Sequence, residues 1–238
     1  MLKIGHRGAC GHEPENTLKS VRKAIDLGVD QIEIDVHVCK TGEVVVIHDE
    51  TVDRTTNGSG RVSEMTFEEL RALNIGDDAK IPTLEEVLFL VHNQAEVNIE
   101  IKTIDAIEKV LDILRIHKIK KVLISSTDAH VLMAVKKIKK ALIFYSTQND
   151  FKDRIILTSC YLFMPITKKI VLNLLEKTRT NVVNVYHSLA TRGFIECMHQ
   201  RGIKVNVWTV NDEKEIQKYK LRGVDGIISD YPGKLWII

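Results

Sequence analysis

The fold is decided by residues 31–49, QIEIDVHVCKTGEVVVIHD. The first eight residues alternate between polar and apolar, and because successive side chains of a strand point to opposite faces, one face is apolar and the other polar. The polar face carries Gln31, Glu33, Asp35 and His37. After a turn at residues 40–43, the apolar run 44–47 ends in His48 and Asp49. Alone, this stretch fits either a half-exposed surface hairpin or part of a functional site.

On both sides of this stretch, short β-rich runs alternate with longer helical patterns. The strand-then-helix unit occurs eight times, with residues 43–47 as an extra strand on the second unit. Alternating strands and helices imply a parallel sheet, and eight units favour a closed (β/α)8 TIM barrel. A doubly wound open sheet is the alternative, but no glycine-rich phosphate loop follows the first strand. We expect one domain over residues 1–238, with residues 49–80 as an insertion after the second strand.

Composition narrows the class of protein. The 238 residues are 44% hydrophobic, which suffices for one large core. The 34 basic and 32 acidic residues nearly balance at a net charge of +2, which gives no support for nucleic-acid binding. The four cysteines are widely spaced without a Cys-x-x-Cys pair, so we expect neither a disulfide scaffold nor a zinc knuckle.

The sequence further predicts a cytoplasmic protein without a transmembrane segment. The first residues, MLKIGHRG, lack the charged and apolar regions of a signal peptide. The longest apolar stretch, residues 155–166, is shorter than the about 20 residues that a spanning helix needs. We predict that it belongs to a long loop that either packs on the protein or forms a lid with weak lipid contact. Nothing in the sequence indicates an oligomeric state.

Several predicted strands carry polar side chains on one face, although strands buried on both faces are usually apolar throughout. These polar sets are Glu33 with Asp35, Asn98 with Glu100 and Lys102, Asn184 with Tyr186, and Asn206 with Trp208. In a barrel the apolar faces pack on the helices, so the polar sets should converge inside, near the carboxyl-terminal mouth. An antiparallel sheet with one solvated face is the alternative. The repetition over a strand–helix pattern favours the barrel mouth.

Buried carboxylates at such a mouth require a compensating charge. We therefore predict that Glu33, Asp35 and Glu100 share a cation. Three carboxylate ligands suit a hard divalent ion, Mg²⁺ or Ca²⁺, whereas sites for softer metals contain cysteine or several histidines.

Two histidines lie where barrel strands deliver residues to this mouth. His6 ends the first strand and is followed by Arg7, and His48 ends the extra strand. Two histidines beside a cation and an arginine suit phosphodiester cleavage, since one takes a proton from the nucleophile and the other protonates the leaving oxygen. The other histidines are interpreted as structural, except His37, whose role stays open. Trp208 either packs against an apolar part of a substrate or is a core aromatic.

Longer motifs give a family resemblance. The segments GHRGACGHEPENTL (residues 5–18) and EIDVHVCKTGEVVVIHDETVDRTTNGSGRV (residues 33–62) are long and specific. IPTLEEVL, NIEIK, VNVWTVND and GVDGIISDYP follow in the same order as later landmarks. In these segments, which cover nearly the whole chain, the sequence resembles the glycerophosphodiester phosphodiesterase family.

The resemblance implies a (β/α)8 barrel that hydrolyses glycerophosphodiesters to glycerol 3-phosphate and an alcohol with a divalent cation. It implies that the substrate's own glycerol 2-hydroxyl is the nucleophile and that a cyclic phosphate is the intermediate. The implied roles are catalysis by His6 and His48, metal binding by Glu33, Asp35 and Glu100, and phosphate contacts from Arg7 and Lys102.

Two features differ from the family pattern and concern the substrate. Ser126-Thr127-Asp128 stands where the family often has an aromatic in the middle position, and residues 147–165 match poorly. The alternatives are therefore lysophospholipase D-type activity on lysophospholipids and, from another class, a non-catalytic phosphate- or metal-binding barrel.

Overall fold

The computed structural model describes residues 1–76, 78–144 and 151–236. In this part of the chain the strands are β1 (Leu2–Gly5), β2 (Gln31–Val38), β3 (Val44–Val46), β4 (Glu96–Ile101), β5 (Val122–Ser126), β6 (Lys139–Phe144), β7 (Val182–Tyr186), β8 (Lys204–Trp208) and β9 (Gly226–Ser229).

Eight of these strands form a closed parallel ring. They run in the order β1, β2, β4, β5, β6, β7, β8, β9, and β9 pairs back onto β1. β3 lies outside the ring and pairs antiparallel with β2. A doubly wound sheet would leave two free edges, so the ring confirms the predicted (β/α)8 TIM barrel.

The helices connect successive strands around the ring. They are α1 (Leu18–Asp26), α2 (Phe67–Ala72), α3 (Leu84–Val91), α4 (Ala106–Ile116), α5 (Ala129–Ala134), α6 (Phe151–Leu162), α7 (Met164–Thr178), α8 (Arg192–His199) and α9 (Glu213–Arg222). Short 3₁₀ helices lie at Val62–Glu64, His187–Leu189 and Pro232–Trp236.

Local sequence explains several helix starts. Thr17, Thr66 and Thr83 each accept a hydrogen bond from the backbone N–H three residues later, and the side chain of that later residue caps the threonine's own N–H. Such reciprocal capping boxes satisfy backbone donors that a helix end leaves unpaired. The three-residue spacing of Thr83 and Glu86 in the sequence predicts such a box, and the structure confirms it.

The apolar strand faces pack outward on the helices, as the alternation predicts. One cluster of buried residues joins β2, β4 and β5 to α1, α3 and α4, and a second joins β7 and β8 to α7, α8 and α9. A smaller cluster, including Val52, Val62 and Leu70, lies within the chain between β2 and α3. It stays a prediction that residues 1–238 form one domain and that residues 49–80 are an insertion in it.

The segment before the seventh strand differs from the prediction. A loop was expected through residues 155–165, but α6 and α7 occupy this stretch almost without a break. Pro165 lies in the first turn of α7, where its missing N–H costs no hydrogen bond. Ser159 donates its hydroxyl to the carbonyl of Ile155 inside α6, so a polar residue is accommodated without ending the helix.

Two further boundaries lie around β6. The sequence predicts a helix over residues 129–139, but α5 ends at Ala134 and β6 begins at Lys139. The sequence also predicts a strand over residues 141–145, and its last residue, Tyr145, lies outside the described residues.

No helix in the described ranges has, on its own, the length and apolarity to cross a bilayer. Residues 155–162 of α6 and the whole of α7 meet that criterion of length and composition only as a pair, and the pair is bent by 99°.

Candidate active site

The polar strand faces meet in a cavity at the carboxyl-terminal mouth of the barrel. The cavity is lined by all eight site residues singled out by the sequence: His6, Arg7, Glu33, Asp35, His48, Glu100, Lys102 and Trp208. Ile143, Asn184 and Ile228 also line it. The active sites of this fold lie at this end of the barrel.

A tight turn after β1 brings Arg7 into the cavity. Arg7 has a φ of 49° and Gly8 a φ of 86°, both left-handed. A Cβ on Gly8 would lie 2.4 Å from Ser20 Oγ, so only glycine fits here against α1. The turn is held by the backbone N–H of Arg7, which donates to Glu33 Oε2 at 2.9 Å, and by Ser20 Oγ, which donates to the Arg7 carbonyl.

The register between β2 and β4 groups the three carboxylates. Asp35 lies opposite Glu100, and Glu33 lies two residues earlier on the same face of β2. One oxygen from each of Glu33, Asp35 and Glu100 lies within 4.8 Å of the others. Lys102 Nζ contacts Asp35 Oδ1 at 2.8 Å and Glu100 Oε1 at 2.6 Å, and Asn16 donates to Asp35 Oδ2 at 2.9 Å.

Burial and crowding change the acidity of these carboxylates. Burial raises the pKa of Glu33, and the neighbouring charge of Asp35 raises it further. The pKa of Glu100 is also raised, because burial and Asp35 outweigh the attraction of Lys102. For Asp35 burial is outweighed by Lys102, His48 and Arg7, which lower its pKa well below the usual range.

This donor set fits a hard divalent cation. Two of the three carboxylates, Glu33 and Glu100, are held in a site that disfavours their charge, and the attraction of His6 to Glu33 and of Lys102 to Glu100 does not outweigh this effect. A bound divalent cation would stabilise all three in the charged form, and carboxylate oxygens are the ligands that Mg²⁺ and Ca²⁺ prefer.

His6 is held by a carboxylate that the sequence interpretation did not identify. Its Nδ1 lies 2.6 Å from Asp230 Oδ1, and its Nε2 lies 4.0 Å from Glu33 Oε2. Burial alone would lower the pKa of His6, but the hydrogen bond to Asp230 and the charge of Glu33 raise it overall. Asp230 is itself positioned by Asn211, whose Nδ2 donates to Oδ2 at 2.6 Å.

His48 has a similar carboxylate partner but the opposite pKa shift. Its Nδ1 lies 2.6 Å from Asp49 Oδ1, and Arg54 binds the second oxygen of Asp49 at 2.6 Å. Burial lowers the pKa of His48, and the positive charges of Lys102 and Arg7 lower it further against the attraction of Asp35. The pKa values of the two histidines of the cavity are therefore shifted in opposite directions.

A network of ion pairs ties the first loop to residues 49–54. Glu15 accepts from Arg7 Nη1 at 2.8 Å and from both terminal nitrogens of Arg54 at 2.7 and 2.9 Å. Arg54 also holds Asp49, so the network connects the partner of His48 to Arg7. It fixes the distance between the two loops that border the carboxylates.

The structure supplies contacts for His37 and Trp208. His37 does not line the cavity, and its Nε2 hydrogen bonds to the backbone carbonyl of His48 at 3.1 Å, which positions that loop. Trp208 packs edge-on against Tyr186 at 5.5 Å between ring centroids. Its buried Nε1 has no hydrogen-bond partner among the residues that the structure describes, so a donor is left unpaired beside the cavity.

Sequence reasoning missed Asp230 and Asn211 as partners of the site. Asp230 directly follows β9, at the strand end where a barrel delivers functional residues. It also lies in the segment GVDGIISDYP, so its position was a usable signal.

Comparisons with known proteins agree on one family. The model of the glycerophosphoryl diester phosphodiesterase family matches residues 6–234. A glycerophosphodiester phosphodiesterase of Caldanaerobacter subterraneus subsp. tengcongensis is 34% identical, over 98% of this chain and 96% of its own. Lysophospholipase D GDPD1 of Rattus norvegicus is 28% identical, over 98% of this chain and 84% of its own.

A solved structure gives the same result. The phosphodiesterase of Oleispira antarctica in complex with the product sn-glycerol-3-phosphate superimposes with a TM-score of 0.83. It is 26% identical to this chain and covers 98% of this chain and 94% of its own.

Proposed function

The chain belongs to the glycerophosphoryl diester phosphodiesterase family and is a glycerophosphodiester phosphodiesterase, and from this premise we propose a metal-dependent mechanism with two histidines. The proposed reaction hydrolyses glycerophosphodiesters to glycerol 3-phosphate and an alcohol. The observation that carries the proposal is the pair of histidines with opposite pKa shifts around one carboxylate cluster in a single cavity.

Glu33, Asp35 and Glu100 would hold the divalent cation, Mg²⁺ or Ca²⁺. When bound, the cation neutralises charge on the phosphoryl oxygens. Arg7 and Lys102, which line the same cavity, would contact the remaining phosphoryl oxygens. Glu15 keeps the Arg7 side chain in place through its hydrogen bond.

The pKa shifts assign the roles of the two histidines. His48, with its lowered pKa, is neutral near pH 7 and accepts the proton of the attacking hydroxyl. His6, whose pKa is raised, is assigned the role of the acid that donates a proton to the leaving alcohol oxygen. Asp49 and Asp230 are positioning residues, because each binds Nδ1 of its histidine and so directs Nε2 to the reaction.

The proposed nucleophile is the glycerol 2-hydroxyl of the substrate. It attacks phosphorus and forms a cyclic phosphate as the bond to the leaving alcohol breaks. Water then opens the cyclic phosphate, with the neutral His6 taking the water proton and His48 returning its proton to the glycerol oxygen. This route requires no nucleophile from the protein.

The identity of the leaving group belongs to the same proposal. Water-soluble diesters are the proposed substrates, with Trp208 packing against the leaving group. Lysophospholipids are the second candidate, favoured by the similarity to a lysophospholipase D and by exposed apolar residues on α6. We further propose a cytoplasmic location and no nucleic-acid partner, in line with the near-balanced charge.

The experiment is a substrate panel with the purified protein. Glycerol 3-phosphate release is measured from glycerophosphocholine, glycerophosphoethanolamine and glycerophosphoglycerol. Lysophosphatidic acid release is measured from lysophosphatidylcholine, and choline release is measured in parallel. Activity should vanish after EDTA treatment and return on titration with Mg²⁺ or Ca²⁺. If no substrate is turned over with either cation, the enzymatic proposal is wrong and a non-catalytic phosphate- or metal-binding barrel takes its place.

A further inference from the structure

An exposed apolar surface covers α6 and the start of α7. We call it the α6–α7 surface, and it consists of Ile155, Ile156, Tyr161, Leu162, Phe163, Ile166 and Ile170. Each of these side chains is between 47% and 69% exposed. A run of seven large apolar residues in sixteen positions is unusual for a surface that faces only water, and such patches mark interaction sites.

The α6–α7 surface lies on the side of the barrel mouth. α6 follows the carboxyl-terminal end of β6, and it packs against the 3₁₀ helix His187–Leu189, which follows the same end of β7. Leu157, Cys160 and Met164 point inward and pack on the second core cluster. The inward side of this region is therefore already used, and the exposed apolar side chains extend away from the core beside the cavity.

The charged residues between positions 155 and 170, where the α6–α7 surface lies, are all positive. Residues 155–170 contain no aspartate or glutamate, and their only charged residues are Lys168 and Lys169. Apolar side chains flanked by lysines are typical of helices that lie in the headgroup region of a bilayer. The lysine stems cover apolar surface while their ammonium groups contact anionic lipid headgroups.

The same charges argue against a second copy of this chain as the occupant. A two-fold symmetric contact would place the α6–α7 surface of one copy on that of the other. It would bring two pairs of lysines together without an acidic residue from either surface to balance them. Juxtaposed like charges oppose such an interface.

We propose that the α6–α7 surface docks the mouth of the barrel on an anionic lipid bilayer. Leu162 and Phe163, which are 69% and 60% exposed, enter the boundary between headgroups and acyl chains. Lys168 and Lys169 contact the headgroups. The docked cavity then opens close to the membrane surface, where lipid-derived diesters are concentrated. Docking requires no turnover, so it can be tested independently of the reaction proposed above.

The experiment is co-sedimentation of the full chain with vesicles. One vesicle type contains phosphatidylcholine alone, and the other contains equal amounts of phosphatidylcholine and phosphatidylglycerol. The wild type should sediment with the anionic vesicles and less with the neutral ones. The double variant L162E/F163E should bind the anionic vesicles about tenfold or more weakly. The double variant K168E/K169E should lose the preference for anionic vesicles.

The matched control is Phe89→Glu, which places the same charge on an apolar residue of α3 that is 83% exposed. It should bind vesicles like the wild type. Thermal melting checks that every variant is folded, and turnover of dissolved glycerophosphocholine should stay within about twofold in all of them. That assay separates a failure of docking from a failure of the proposed reaction.

Three results would overturn the proposal. The first is no sedimentation of the wild type with either vesicle type, and the second is an equal loss of binding in Phe89→Glu. The third is a dimer in sedimentation velocity that L162E/F163E dissociates while no vesicle binding is found, because the surface would then join two copies of the chain.

Discussion

The two halves of the barrel mouth differ in chemistry. Among the residues that the structure describes, the half from β1 to β4 supplies every titratable side chain of the cavity: His6, Arg7, Glu33, Asp35, His48, Glu100 and Lys102. The half from β6 to β9 supplies Ile143, Asn184, Trp208 and Ile228. The groups suited to bond cleavage thus lie on one side, and the opposite side offers an apolar wall for the rest of the substrate. Reaction and substrate preference are therefore expected to respond to different substitutions.

The largest effect is expected from the histidines of the charged half. His6→Ala and His48→Ala should each lower kcat by about 10²- to 10⁴-fold, because general acid–base catalysis contributes that much. The measurement is steady-state turnover of glycerophosphocholine. His130→Ala, on the exposed start of α5, is the matched control and should keep full activity. Wild-type turnover in either site variant would remove that histidine from the mechanism.

The second-largest effect is expected from the carboxylates of the charged half, Glu33 and Glu100. Glu33→Gln and Glu100→Gln should raise the Mg²⁺ or Ca²⁺ concentration for half-maximal activity by about tenfold or more, because each loses a charged ligand. Metal titration after EDTA treatment measures this change. Glu108→Gln, on the exposed face of α4, should leave the titration unchanged. An unaltered metal requirement in both site variants would contradict the shared cation.

A pH effect is expected from Asp230, which follows β9 in the second half and contacts His6 of the charged half. Asp230 raises the pKa of His6, so His6 stays protonated to a higher pH than it would alone. Asp230→Asn should lower this pKa, and the alkaline limb of the kcat profile should move to lower pH. The acidic limb, which reports deprotonation of His48, should stay in place.

The control for this profile is Glu85→Gln, which removes the carboxylate that pairs with the exposed His117 at 3.0 Å. It should leave both limbs unchanged. A shift of the acidic limb alone in Asp230→Asn would reverse the assignment of acid and base.

The smallest effect is expected on the apolar side. Trp208→Phe keeps a ring against Tyr186 but loses the unpaired Nε1 donor, so KM should rise about two- to tenfold with little change in kcat, as for one neutral hydrogen bond. Trp236→Phe, at the half-exposed end of the chain, is the matched control. If kcat falls and KM is constant, Trp208 contributes to the reaction and the division between the two halves is wrong.

The sequence predicted the charged half better than the apolar half, for a physical reason. Polar residues that interrupt apolar strands, as Glu33 and Glu100 do, stand out in a single sequence because burying them is costly. Their side chains do meet in the cavity, whereas their roles in metal binding and catalysis stay predictions. The ring of eight parallel strands followed from counting the strand–helix units.

The features that the sequence did not predict depend on contacts that no local sequence pattern encodes. Asp230 meets His6 only when β9 closes on β1. The alternation of polar and apolar residues could not distinguish the role of His37 from those of Glu33 and Asp35, because all three share a face of β2. The partner of His37, the backbone carbonyl of His48, is brought to it by the path of the loop after β3. α6 was missed because serine, threonine and proline oppose helix in isolation, although here they occupy positions that tolerate them.

The closure of β1 between β2 and β9 has a consequence for protein synthesis. The three carboxylates and both histidines belong to the first 100 residues, which leave the ribosome early. Asp230 lies 224 positions after His6 and is added much later. A nascent or truncated chain that lacks β9 and Asp230 therefore has the groups proposed for bond cleavage but not the carboxylate that raises the pKa of His6. The proposed reaction is expected to reach its full rate only after Asp230 has been added and β9 has paired with β1.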